Sequence, residues 1–356
     1  MDEFKKKILS RSPSLPDRES RKLSGPAVNL LLGAGLIVCV LLSFLLGRYP
    51  VPLRELLGIL LEKLPGVAVT PFWTETQAIA VWNIRMPRVL LAVLVGAALS
   101  TAGAAYQGAF QNPMAAPDIL GASAGAGFGA ALAIYLDMSS AGITLFAFLM
   151  SLLTVALVFF VSRFTKGEKV IALILAGIII SSLFQAGTSF IKLVADPGNK
   201  LPAITYWLMG SLVGATRGEL RYVVWPMLLG AIPLWLLRWR LNVITMGDDD
   251  ARSLGVNPQR VRMAVIVCAT LLTAASVSVS GMIGWVGLVI PHMMRRLVGS
   301  DHLHLIPAST LGGGLFLLVV DNISRNLAGA EIPIGILTAF LGAPFFLLLI
   351  TRRSES

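Results

Sequence analysis

The chain reads as long apolar runs separated by shorter polar connections. About 20 apolar residues cross a bilayer as a helix, and runs near that length fall at 27–47, 86–108, 116–136, 141–162, 170–191, 221–238, 261–280, 282–297, 305–321 and 332–350. Lipid offers the backbone no hydrogen-bonding partner, so each run is expected to be helical. The pattern predicts an all-α integral membrane protein of about ten transmembrane helices, with one membrane domain over residues 27–350. The run at 282–297 is short and rich in glycine. Small residues crowd several others, as in Gly96-Ala97-Ala98 and Gly121-Ala122-Ser123-Ala124-Gly125-Ala126-Gly127, and such stretches let helix backbones approach closely. No internal repeat is evident.

Three connections carry patterns of their own. In 48–85, Leu53, Leu56, Leu57, Leu60 and Leu61 are spaced for one face of a short helix. The segment 192–220 contains Asp196-Pro197 and Trp207-Leu208-Met209-Gly210-Ser211. Within 239–260, Asp248 to Asp250 favour a helix start, Ala251 and Leu254 fall on one side of that helix, and Gly255 ends it. A second short helix is expected after Pro258.

Composition narrows the class. Of 356 residues 56% are hydrophobic and only 13% charged, about half the charge of a soluble domain. A water-facing globule and a disordered chain are both excluded. The net charge of +10 would suggest nucleic acid in a soluble protein, but here it follows the positive-inside bias of membrane loops. Segments 1–26, 163–169, 238–262, 295–296 and 352–353 hold 19 Lys/Arg, and the opposite side holds 10. Residues 1–26 are therefore expected to be a basic cytoplasmic tail, residues 351–356 a cytoplasmic C-terminal tail, and the localisation a cytoplasmic membrane crossed many times. Cys39 and Cys268 lie inside apolar runs and are expected to pack without a disulfide.

Candidate chemistry is sparse. The chain has no G-x-x-x-x-G-K-[ST] loop, so it is expected to bind no ATP in that way, and it has no H-E-x-x-H or paired CxxC. His302 and His304 read as solvated loop residues and His292 as a helix-end residue, so no metal site and no enzyme activity is expected. Lys192, Asp321, Arg325 and Glu331 all fall at the ends of runs, which argues against a proton-coupled path through the membrane. A self-contained secondary transporter is the rival reading from another class.

Several motifs occur in an order that resembles one family. They are IRMPRVLLAVLVGAALSTAGAAYQGAFQNPMAAPDILGASAGAGFGA at 84–130, W-x-M-G-S at 207–211, G-x-x-x-A-x-x-L-G at 247–255, SGMIGWVGLVIPHMMRRLVGSDH at 280–302, Val320-Asp321-Asn322-Ile323-Ser324-Arg325, and EIPIGILTAFLGAPFF at 331–346. Nearly everything after residue 27 resembles the FecCD-type permeases, membrane subunits of ATP-binding-cassette (ABC) importers for ferric siderophores, haem and cobalamin. The resemblance implies ten helices with cytoplasmic termini, matching the charge count. It implies four kinds of partner: a second permease copy or a related permease (a homodimer is favoured), two ATPase subunits carrying the ATP and Mg, an extracytoplasmic substrate-binding protein, and lipid. No nucleic acid and no cofactor of the chain's own are expected.

Site residues follow from the same resemblance. Gly247, Asp248, Ala251, Arg252, Leu254 and Gly255 match the segment that couples to the ATPase. Arg85, Arg88 and Arg325 match positions that face acidic residues of the docked binding protein. Asn112, Pro113 and Met114 match one cytoplasmic gate, and Lys169 and Val170, with the 165–170 loop, match the other. Lys166 and Lys169 are bulkier and more charged than the Ser/Thr pattern of the cobalamin member, from which Gly167 also departs, and Pro113 and Pro117 also suit plain helix-end signals. A ferric siderophore is the expected cargo, with haem, cobalamin and molybdate as alternatives.

Overall fold

A computed structural model describes residues 24–47, 49–63, 70–165 and 169–353. Most of the basic tail, Lys166, Gly167 and the last three residues lie outside these. The described residues are helical, with thirteen elements: α1 Gly25–Leu45, α2 Leu53–Glu62, α3 Glu75–Ala109, α4 Ala122–Tyr135, α5 Ser140–Ser162, α6 Lys169–Val194, α7 Lys200–Leu208, α8 Arg217–Thr245, α9 Asp248–Ser253, α10 Pro258–Ser280, α11 Val286–Val298, α12 His302–Asn326 and α13 Ile334–Arg353. Seven are long and apolar enough to cross a membrane, namely α1, α3, α5, α6, α8, α10 and α12. Helices α4, α11 and α13 occupy the other three expected runs.

Helix α3 is the axis of the bundle, packed by α8, α10, α11 and α12. Its sequence explains that position, because small residues let neighbours reach its backbone. A Cβ on Gly96 would stand 2.2 Å from the Gly313 carbonyl oxygen of α12, and one on Gly103 would stand 1.7 Å from that of Gly287 in α11. Peripheral helices differ. Leu30, Leu31 and Ile37 of α1 and Leu229 and Leu236 of α8 are exposed, as lipid-facing surface requires.

The structure moves several expected boundaries. The stretch 48–85, expected to be an external connection, is not all connection, since α3 begins at Glu75 behind a Thr74–Gln77 capping box and passes through a π turn at Ala80–Arg85. Arg85 thus lies in a continuous helix. On α2 the leucine face is only partly covered: Leu56 is buried, whereas Leu53, Leu57 and Leu61 are exposed. The run at 116–136 becomes helical only at Ala122, after a turn ending at Gly121 with φ 76°. The run at 282–297 becomes helical only at Val286, because Gly281 and Trp285 take positive φ. No separate short helix follows Pro258, which instead opens α10. His302 is not a solvated loop residue; it is buried in the first turn of α12.

The W-x-M-G-S motif is an interlock. Gly210 and Gly281 sit so close that a Cβ on Gly281 would stand 2.2 Å from the Trp207 carbonyl oxygen, and Ser211 N donates to Ser280 O at 2.7 Å. Gly335 closes against the Met209 carbonyl in the same way. Three motifs far apart in sequence are therefore one packing unit.

Because Gly103 meets backbone, Gly103→Val is expected to cost at least about 3 kcal/mol or abolish folding. Gly33→Val, whose new atoms meet open space within the chain, is expected to leave the Tm in detergent within about 2 °C. Thermal unfolding of the two variants checks this.

Candidate functional site

Functional candidates gather at three levels of the bundle. At the α2 end, Arg88 on α3 reaches Asp321 on α12 through Nε at 2.9 Å and Glu331 through Nη1 at 2.8 Å. Arg325, one turn beyond Asp321, meets its other oxygen at 3.1 Å. Arg325 also donates to Asn322, whose amide donates to Ser43 of α1 at 2.6 Å. Arg85 donates to the carbonyls of Phe44, in the last turn of α1, and of Tyr49 in the connection beyond it. The resemblance brought these arginines together as an outward-facing trio. The structure does bring them together, but buried: Arg85 is 4% exposed, Arg88 7% and Arg325 7%. Their partners Asp321 and Glu331 were read only as charges at the ends of runs. Asp321 is fully buried, so the ends of runs conceal an ion network that hydropathy alone does not separate from surface charge.

At the opposite end lies the segment matched to coupling. Helix α8 stops at Thr245, Gly247 takes φ 125°, α9 follows, and Gly255 with φ 76° releases the chain. Gly255 N and Val256 N donate back to Arg252 O and Ala251 O, which closes the helix C-terminus. Ala251 is buried while Leu254 is 57% exposed beside an exposed Met246, so these two do not share a side as expected. Ala251 faces the bundle and Leu254 faces away. Arg252 pairs with Asp249 at 3.2 Å. Asp248 meets Arg262 at 3.0 Å, and Arg262 Nε donates to Ala109 O, the last carbonyl of α3, at 2.8 Å. Gln111 donates to Ile244 O at 2.5 Å. The end of the central helix is thereby tied to both flanks of α9. Sequence reasoning missed Arg262 and Gln111, because nothing local marks a side chain that bridges elements more than a hundred residues apart.

A second tie stands nearby. Asn242 of α8 donates to Asp301 at 2.5 Å and accepts from the His302 backbone at 2.8 Å. Burial alone would raise the Asp301 carboxyl, but the Leu303 and Asn242 amides and the two neighbouring histidines outweigh it and hold it below the usual carboxylate range. The residues matched to the gates lie close to this end. Asn112 Oδ1 accepts from Met114 N at 2.9 Å in a tight turn containing Pro113, and Met114 is 50% exposed. Lys169 and Val170 open α6. No metal-ligating cluster occurs among the described residues, and Cys39 and Cys268 are free thiols.

Between the two ends the bundle is broken. Residues 110–121 leave α3, turn, and climb back beside it, with Gly177 and Gly287 closing on Ile119 and Pro117. Helices α4 and α11 both start at this depth, around a cavity of about 250 Å³. Near the α2 end a second cavity of about 560 Å³ is lined by Asp137, Lys200, Tyr206, Trp207, Ser211 and Glu219.

A model of the FecCD transport family matches residues 35–352. The chain belongs to the FecCD transport family. As the motifs implied, this FecCD chain is a transport permease subunit of the ABC type. It is 39% identical over 317 residues to the molybdate import system permease of Haemophilus influenzae, covering 89% of this chain and 93% of that one. It is 41% identical over 278 residues to a probable iron chelatin transport system permease of Helicobacter pylori, covering 78% and 84%. Its structure superposes with a TM-score of 0.81, at 38% identity, on a metal-chelate type ABC transporter in an inward-facing conformation, over 92% of this chain and 99% of that one.

Truncating Asp321 leaves two buried arginines short of a partner, and breaking such a network costs about 3–5 kcal/mol. Asp321→Ala is therefore expected to lower the Tm far more than Glu331→Ala, whose carboxylate is 26% exposed and is replaced in part by water. Parallel thermal unfolding of the two variants decides it.

Proposed function

We propose that this chain is the membrane-spanning half of an ATP-driven importer that carries an iron chelate, with a ferric siderophore as cargo. The family match over residues 35–352 carries the reading. In it, the α9 end faces the cytoplasm with both termini, ten helices cross the membrane, and the α2 end faces the binding protein. Two copies form the passage. Exposed apolar residues on α6 (Ile171, Leu175, Ile178, Leu183) and Phe340 on α13 give a second copy or lipid a surface to cover.

The mechanism follows from the contacts. Partner ATPases bind and hydrolyse ATP, and this chain supplies the lever. Leu254 and Met246 offer an apolar surface to a groove in the ATPase. A push on α9 passes through Asp248 to Arg262 and from there to the end of α3, which also anchors the Asn112–Met114 turn assigned as a gate; Lys169 and Val170 form its counterpart. Arg85, Arg88 and Arg325 orient the docked binding protein. Because they are already paired inside the chain, an arriving acidic group competes with Glu331 for Arg88 instead of meeting a free cation. The molybdate permease relative supports a second reading, the same machine with an oxyanion as cargo, and haem and cobalamin importers share the build.

Reconstitution with the ATPase subunits and the cognate binding protein tests this. Binding protein loaded with ferric siderophore is expected to stimulate ATP hydrolysis, and Leu254→Asp is expected to remove about nine-tenths of the stimulation with no change in Tm, since an exposed site tolerates the charge. Stimulation by molybdate-loaded protein alone would replace the cargo. No stimulation by any loaded protein would refute the importer reading.

A further inference from the structure

The break in the bundle holds a carboxylate that no part of the coupling or docking machinery uses. Asp118 lies in the climbing segment 110–121, and its depth follows from what surrounds it. Its neighbour Pro117 packs against Gly287, which in turn meets the carbonyl of Leu99. Leu99 is ten residues short of the end of α3 at Ala109, or about 15 Å at 1.5 Å per residue. The hydrocarbon core is about 30 Å thick, so Asp118 stands near its middle. The 250 Å³ cavity at this level is lined by Leu99, Pro117, Asp118, Ser123, Thr273 and Trp285, among others.

Asp118 Oδ1 accepts from Ser123 N at 2.8 Å. Among the described residues no cation pairs with this carboxylate, Ser123 hydrogen-bonds it through both backbone and side chain, and the residue is exposed. An exposed carboxylate at mid-depth does not face hydrocarbon, where its cost is prohibitive; such residues face a water-filled space. Its field is not cancelled by a neighbouring arginine, in contrast to Asp321.

We infer that Asp118 lines the transport passage at its midpoint and sets that point's charge preference, admitting neutral or cationic surfaces and repelling oxyanions. The inference rests on the importer reading and sharpens its cargo. A ferric chelate turns its anionic oxygens onto the metal and presents a softer exterior, whereas a small oxyanion presents its full charge to Asp118. In a homodimer the passage carries two such carboxylates, which doubles the effect.

The test needs no cargo. In a Cys39→Ser, Cys268→Ala background, Ser123→Cys or Gly284→Cys places one thiol on the cavity wall; Gly284 has open space around it. In membranes bathed on both faces, the thiol is reacted with cationic trimethylammonium-ethyl and anionic sulfonatoethyl methanethiosulfonate. The cation-to-anion rate ratio is expected to exceed that of a free thiol by about tenfold. Asp118→Asn keeps an oxygen to accept from Ser123 N, and it is expected to bring the ratio within about twofold of the free thiol. Failure of both thiols to react, or a ratio indifferent to Asp118→Asn, overturns the inference. Binding-protein-stimulated hydrolysis in the same preparations reports separately on the importer reading, so each idea fails on its own measurement.

Discussion

The contact between Gly103 and Gly287 constrains the rest of the molecule. With no side chain on either residue, α3 and the start of α11 touch backbone to backbone. Any larger residue would push α11 outward. Since lipid gives helices no hydrophobic reason to associate, such close approach must supply the packing energy instead. It also fixes where α11 begins, beside Leu99 and Pro117 and not at the membrane surface. The climbing segment 110–121 is admitted on the same terms, because irregular backbone inside a bilayer is tolerated only where protein or water covers it. A row of glycines on one helix thus determines both the tightness of the bundle and the position of its interior opening.

Most of the helical architecture was legible in sequence because hydropathy and helix length share one cause, the thickness of the bilayer. The places where the pattern misled are those where backbone leaves the helix inside an apolar run. Pro117 and Gly121 mark one, and Gly281, Gly284 and Trp285 the other, yet an apolar residue reads alike in a helix and in a buried turn. Asp118 passed unremarked for that reason, lost in a run otherwise rich in alanine and glycine. The segment matched to coupling was easier, since three acidic residues and a terminal glycine bracket a short helix whatever its neighbours do. Its orientation was not, because burial of Ala251 depends on α8 and α10, which lie outside the window of any local pattern.

The arginines show a different limit. The resemblance grouped Arg85, Arg88 and Arg325, but grouping says nothing about what each already holds. Burial gives Arg88 and Arg325 a shared carboxylate on α12, and Arg85 the carbonyls of Phe44 and Tyr49. A buried network of this kind is costly to break by removing one member, because the others are left buried and unpaired. It joins α1, α3, α12 and the 327–333 connection at a single point, so whatever presses on that end of the protein moves four segments together.

Ser43 and Asn322 are bonded across 279 positions of sequence, and this spacing bears on how the protein is made. Helix α1 is made before α12, so its polar tether and its packing surface on that helix appear only later. During that interval α1 stands in lipid without its native neighbours. Its exposed flank of Leu30, Leu31, Ile37, Leu41 and Leu42 suits it to wait there, since a helix apolar on nearly all sides is stable alone in a membrane before it docks. Ser43 sits near the end of α1, and its hydroxyl donates to Cys39 O of the same helix at 2.7 Å, so it is satisfied before Asn322 arrives. A helix made long before its partner in this way docks late.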